Sequence, residues 1–167
     1  METIKSPLYN KEAEKLLLSC ILKNPRCLSL LPDPLLIDDF SEDSHAMLYN
    51  ELVKHSLENL LDIGLIKSNP NINTKLVEDL LKLGSSEENL KEYYNRIREA
   101  TARRTLKLVT EEIGNSVEDA EIKLSTILKR AEDSLYFACS RQKIPLKKID
   151  EVVDKVYLNV LQRSKDI

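Results

Sequence analysis

Glycine is scarce in this chain: three residues in 167, at Gly64, Gly84 and Gly114. A phosphate-cradling loop needs glycines close together so that successive backbone N–H groups can converge on the anion. Three isolated glycines supply neither GxxxxGK followed by Ser or Thr nor GxGxxG, which excludes nucleotide sites of those types. Tryptophan is absent and aromatic residues make up only 5% of the chain. Strands favour aromatic and β-branched residues, so this shortage argues against a sheet. The three cysteines, Cys20, Cys27 and Cys139, are odd in number and not closely paired, which argues against a disulfide framework. Cys20 lies in an apolar helical run and reads as a small hydrophobe, and a reducing, cytoplasmic compartment follows. Only two histidines occur, His45 and His55, with no CxxC or HxxxH spacing for zinc. A di-iron bundle wants two ExxH motifs plus two further carboxylates, and Glu42 to His45 gives a single such spacing. Apolar runs fall far short of the roughly 18 residues that span a bilayer, and the N-terminus lacks a signal-peptide core.

What is abundant is leucine, lysine and glutamate. Straight side chains lose little freedom in a helix, so the composition predicts an all-α fold. Hydrophobic residues are 42% and charged residues 32%, a globular balance. Net charge is −3 and the pI is near 5.6, without the basic field of a nucleic-acid binder. Charge is uneven, however. From Arg141 to Ile167 there are seven basic and four acidic residues, so the tail is net positive.

Helical periodicity divides the chain. Asn10 is placed to cap a first helix carrying Ala13, Leu16, Leu17, Cys20 and Ile21 inward, with Glu12 and Glu14 suiting its dipole. Asn24-Pro25 opens a short helix with Cys27, Leu28 and Leu31, ended by Pro32 and Pro34. Asp43 or Ser44 caps a third, with Met47, Leu48, Leu52 and Val53 inside. After an interruption at Gly64-Ile66 and a break at Ser68-Asn69-Pro70-Asn71, a helix from Asn73 to Leu83 carries Leu76, Val77, Leu80 and Leu81, and Gly84 stands where a left-handed C-cap wants glycine. A Ser85–Glu88 capping box starts a long helix to about Ile113, with Leu90, Tyr94, Ile97, Thr101 and Leu108 on its inner stripe. Gly114-Asn115 breaks it. Ser116 to Asp119 caps a second long helix ending near Cys139, with Leu124, Ile127, Leu128, Ala131 and Leu135 inside. Two long helices joined by so short a break form an antiparallel hairpin. Beyond a linker at Arg141 to Pro145, Ile149, Val152, Val153, Val156 and Val160 line one face of a last helix from about Leu146 to Arg163, which seeks a partner.

No catalytic constellation emerges. Nucleophilic catalysis would need Ser or Cys beside a histidine oriented by an acid, and nothing in the spacing supports one. The pairs Asp38-Asp39, Glu87-Glu88 and Glu111-Glu112 read as solvated faces, because neighbours in a helix do not face each other. The stretch Arg96, Arg98, Arg103, Arg104, Lys107 reads as a surface helix, partly neutralised by Glu92–Arg96 and Glu99–Arg103 pairs at i,i+4. Without interleaved aromatics it implies weak or no direct DNA binding. His45, at a helix start, reads as a surface or packing residue.

Three motifs, in order, resemble the N-terminal domain of bacterial replicative DNA helicases of the DnaB family. The first is NKEAEKLLLSCIL from Asn10 to Leu22, with Pro7, Asn10, Glu12, Ala13 and Glu14. The second is Asp39-Phe40, then His45, then Leu48-Tyr49. The third is YYNRIREATARRTL, from Tyr93 to Leu106, which resembles the start of the family's helical hairpin, with Ile122 to Leu135 as its second arm. The segment from Ile149 to Arg163 resembles the family's linker helix, and Ser164 to Ile167 sits where its motor begins. The resemblance implies a helical head over 1–85, a hairpin over 86–139, and a linker with its helix over 140–167. It further implies a non-catalytic collar and linker region that holds a ring together and receives primase. ATP and Mg2+ would belong to the absent motor, and no cofactor is expected here. Implied partners are further copies in a dimer or hexameric collar, the motor domain of a neighbouring subunit, primase and a helicase loader. The linker contact falls to Ile149, Val152, Val153, Val156 and Val160. The hairpin or primase surface falls to Tyr93, Tyr94, Ile97, Arg103, Arg104, Leu128 and Leu135. Asn10, Glu12, Ala13, Asp39, Phe40, His45 and Tyr49 are the family's structural positions. Gly84-Ser85-Ser86 stands in place of the family's glycine pair, and 60–83 departs from its pattern. Alternative readings are a stand-alone helical adaptor or inhibitor, the helicase-binding domain of a primase, and a helical-bundle enzyme.

Overall fold

The computed structural model describes residues 6–58 and 62–141 together with Leu158. The described residues are helical, with no strand among them, as the composition predicts. The helices are α1 (Lys11–Lys23), α2 (Cys27–Leu30), α3 (Asp43–Leu57), α4 (Ile63–Ser68), α5 (Thr74–Lys82), α6 (Leu90–Glu118) and α7 (Leu124–Arg141), with 3-10 turns at Ile37–Asp39 and Glu87–Asn89. The chain forms two compact units, Met1–Thr101 and Ala102–Ile167.

In the first unit α1 is the central element, packed against α2, α3 and α5. Its side chains from Leu17 to Leu22 are buried without a break, so it is enclosed on nearly every side. Asn10 starts it as expected: Asn10 Oδ1 accepts from the Ala13 N–H at 3.0 Å. Asn73 caps α5 in the same way, accepting from the Leu76 N–H at 3.2 Å. Around α1 gather Leu48, Tyr49 and Leu52 of α3, Ile66 of α4, Val77 and Leu80 of α5, and Leu90, Tyr93, Tyr94 and Ile97 of α6. The first turns of α6 thus belong to this core. In the second unit α6 and α7 form the helical hairpin, with Val109, Ile127 and Ala138 its buried apolar side chains among the described residues.

Several expectations fail for identifiable reasons. Helix α4 forms where only a break was expected, started by Asp62, whose carboxylate accepts from the Gly64 N–H at 2.7 Å. Met47 is exposed, because the face of α3 turned inward is the one bearing His45, Leu48, Tyr49 and Leu52. Gly84 supplies no left-handed cap: Leu83 ends α5 with an extended backbone. The carbonyls there are met from α1, where Ser19 Oγ donates to the Leu80 carbonyl at 2.6 Å and Lys23 Nζ donates to that of Leu83. Ser85 does not cap α6 either; its hydroxyl lies 2.9 Å from Ser19 Oγ.

Leu108 is 65% exposed although it continues the stripe of Leu90, Tyr94, Ile97 and Thr101. In the second unit the inward stripe is Val109, Ile113 and Ser116, shifted by roughly a quarter turn around the helix axis. Leu124, in the first turn of α7, is likewise exposed. Gly114-Asn115 does not break α6, which runs on to Glu118. The turn comes later, where Asp119 Oδ1 accepts from the Glu121 N–H at 2.9 Å. One glycine costs only about 1 kcal/mol relative to alanine inside a helix, too little to end one among good helix formers. Nothing lies within 4 Å of a Cβ added at Gly114. Gly114→Ala should therefore stabilise the hairpin by about 0.5–1 kcal/mol, measured by urea unfolding, with no change in assembly.

Candidate functional site

Pro32 and Pro34 deny a helix to the strap between α2 and α3, so its backbone N–H groups need other acceptors. Side chains from the surrounding helices supply them. Glu14 of α1 accepts from the Ser41 N–H through Oε1 at 2.8 Å. Its Oε2 receives His45 Nδ1 of α3 at 2.6 Å. One turn on, the Tyr49 hydroxyl accepts from the Leu35 N–H at 3.1 Å, and its ring lies 5.2 Å from that of Phe40, tilted by 41°. Asp39 Oδ2 accepts from the Leu36 N–H at 2.7 Å, and Oδ1 receives Arg98 Nη1 of α6 at 2.9 Å. Glu14, Asp39, His45 and Arg98 are all buried. Burying a charge costs several kcal/mol unless it is paired and hydrogen-bonded, and here each carboxylate meets both a backbone N–H and a side-chain donor.

These residues form a clasp, and they are the ones the sequence motifs single out: Glu14, Asp39, Phe40, His45 and Tyr49, with Asn10 and Ala13 setting the start of α1. Glu12 is exposed in the first turn. One expectation is corrected: Asp39 is not on a solvated face but is turned inward by its partners. Of the two roles expected for His45, surface or packing, the structure shows the packing one, with the ring held inward by Glu14. Arg98, grouped by sequence with a surface basic stretch, is 6% exposed. It sits four residues after Tyr94 and three before Thr101, and that spacing was the available signal of its burial. A general base must reach the proton it takes. The His45 and Glu14 side chains are 3% and 2% exposed, so this pair orients structure rather than reacting with a substrate. Among the described residues no group of three or more His, Cys, Asp or Glu is placed to hold a metal ion.

The expected interaction residues divide. Tyr93, Tyr94 and Ile97 are buried in the core of the first unit and offer no surface, because the start of α6 packs within that unit. Arg103 is exposed and Arg104 half-buried on α6, and Leu128 and Leu135 are half-buried on α7. A shallow groove in the second unit runs between Val109, Glu112 and Ser116 of α6 and Ile127, Arg130 and Ser134 of α7. Ile149, Val152, Val153, Val156 and Val160 lie outside the described residues.

Burial also sets the acid–base behaviour of the first unit. It pushes the Cys27 thiol from its ordinary value of 9.0 up to about 11, and raises Cys20 and Tyr49 as well. The hydrogen bond from His55, followed by one from Asn69, holds Glu51 below the usual carboxylate range.

Residues 6–99 match the family described as the DnaB-like helicase N-terminal domain. The match takes in every residue of the clasp. No curated protein matches the chain.

The raised Cys27 value has a definite sign. Between pH 9 and 11 the unfolded thiol ionises while the folded one keeps its proton, so stability falls as pH rises through that window. Cys27→Ala should make the alkaline limb of a stability–pH curve shallower in urea unfolding. Cys20 and Tyr49 act in the same direction, so the slope should shrink without vanishing.

Proposed function

The chain belongs to the DnaB-like helicase N-terminal domain family, and from that premise we propose that it is the non-catalytic collar and linker region of a replicative DNA helicase, acting in ring assembly and in contact with primase or a loader. The observation that carries the proposal is the hairpin's incomplete burial. A pair of helices must bury an apolar stripe against something. Leu106, Ile113 and Val117 recur on α6 at i, i+7 and i+11, with Leu106 and Val117 exposed and Ile113 half-buried. On α7, Leu124 is exposed and Leu128 and Leu135 are half-buried. A second copy of the hairpin is the cover that the family context favours, with primase or a loader meeting the completed collar.

The linker reading rests on sequence. Ile149, Val152, Val153, Val156 and Val160 form an apolar stripe flanked by Lys147, Lys148 and Lys155. An amphipathic helix of this kind fits a groove on the neighbouring motor. Any ATPase activity would reside in that motor.

Two variants test the two contacts separately. Leu128→Asp with Leu135→Asp should reduce self-association of this chain at least tenfold in sedimentation equilibrium, with the first unit still folded by its near-ultraviolet tyrosine signal. Val156→Asp should leave that association intact and weaken hexamers of the full-length protein by mass photometry. Unchanged mass in both would defeat the assembly role.

A further inference from the structure

We infer that the strap of residues 31–42 is a separately opening element of the first unit, latched to α6 by Arg98. Four observations combine. The strap carries only the single 3-10 turn of Ile37–Asp39, so little of its backbone is held by its own hydrogen bonds. Its N–H groups at Leu35, Leu36 and Ser41 are held instead by side chains: Tyr49, Asp39 and Glu14. Its apolar anchorage is slight. Leu35 and Phe40 point into the core and half-buried Leu31 packs at its edge, whereas Leu36 and Ile37 are 52% and 62% exposed. Finally, the closed state keeps an unmet cost, since Ser41 Oγ is buried with no hydrogen-bond partner among the described residues. Opening to water would relieve it.

A segment with few buried apolar contacts, fastened by a handful of polar ones, opens at lower free energy than the core around it. Asp39 makes Arg98 the latch. One carboxylate oxygen holds the Leu36 N–H within the strap and the other meets the guanidinium from α6. Weakening that ion pair frees the strap's own turn. In the open strap Leu35 and Phe40 join Leu36 and Ile37 as accessible apolar surface, so the population of that surface depends on Arg98. This device goes beyond the collar role and does not require it.

Native-state hydrogen exchange on the whole chain tests it. In the wild type, the amides of Leu35, Leu36, Phe40 and Ser41 should exchange at least tenfold faster than those of Leu18 and Ile21 in α1, with little dependence on low urea. Arg98→Met should speed the strap amides by a further tenfold or more relative to α1. Should that variant unfold, Tyr49→Phe removes only the Leu35 acceptor, and Leu35 should then speed up while α1 stays unchanged. Equal protection of strap and α1 in the wild type, or an equal change in both in the variant that folds, overturns the inference.

Discussion

Charge enclosed in a small helical unit is tolerable only where every carboxylate finds a donor, and that requirement governs the first unit. Glu14 sits in the central helix, where its neighbours are apolar. It is stable there because His45 and the Ser41 amide converge on it. Asp39 is kept by Arg98 and the Leu36 amide. The same contacts solve a second problem, since a proline-broken connection cannot satisfy its own backbone. Side chains of α1, α3 and α6 are thereby fixed to one strap. Loss of a side-chain partner would leave a buried charge only partly compensated, a defect of up to about 3–5 kcal/mol, comparable to a large share of a domain's net stability.

Helix α6 serves two ends. From Leu90 to Thr101 its apolar stripe lies in the core of the first unit. From Ala102 onward the stripe shifts to Val109, Ile113 and Ser116, within the hairpin. A single helix that changes its buried face leaves side chains stranded on the old one, and Leu108 is the result. The hairpin alone has too few facing positions to enclose its leucines, and burying them at about 25 cal/mol per Å2 favours association with a further copy. The same physics that leaves the hairpin incomplete therefore supports the proposed role in a collar.

Much of this was legible in the sequence, and the failures are informative. Asn10 was readable as a cap because a short polar side chain before a periodic run has a local meaning. The clasp residues Asp39, Phe40, His45 and Tyr49 were visible through the family resemblance, but their joint role was not. Asp39 and Arg98 are far apart in the chain, and Asp38 next to the one and Arg96 two residues before the other disguised them as surface charges. Gly114 misled because its intrinsic cost is small against a long run of helix formers. Gly84 misled because Ser19 and Lys23, far away in sequence, already meet the carbonyls at the end of α5. Where a residue's role is set by its near neighbours the chain could be read directly; where it is set by tertiary partners it could not.

If the clasp holds as described, Asp39 and Arg98 are coupled within the folded first unit rather than incidental to it. A double-mutant cycle of Asp39→Asn and Arg98→Met, followed by urea unfolding, addresses that coupling directly. The coupling energy should exceed about 1 kcal/mol, with the double variant more stable than the sum of the single losses allows. Strict additivity, with coupling indistinguishable from zero, would contradict the clasp.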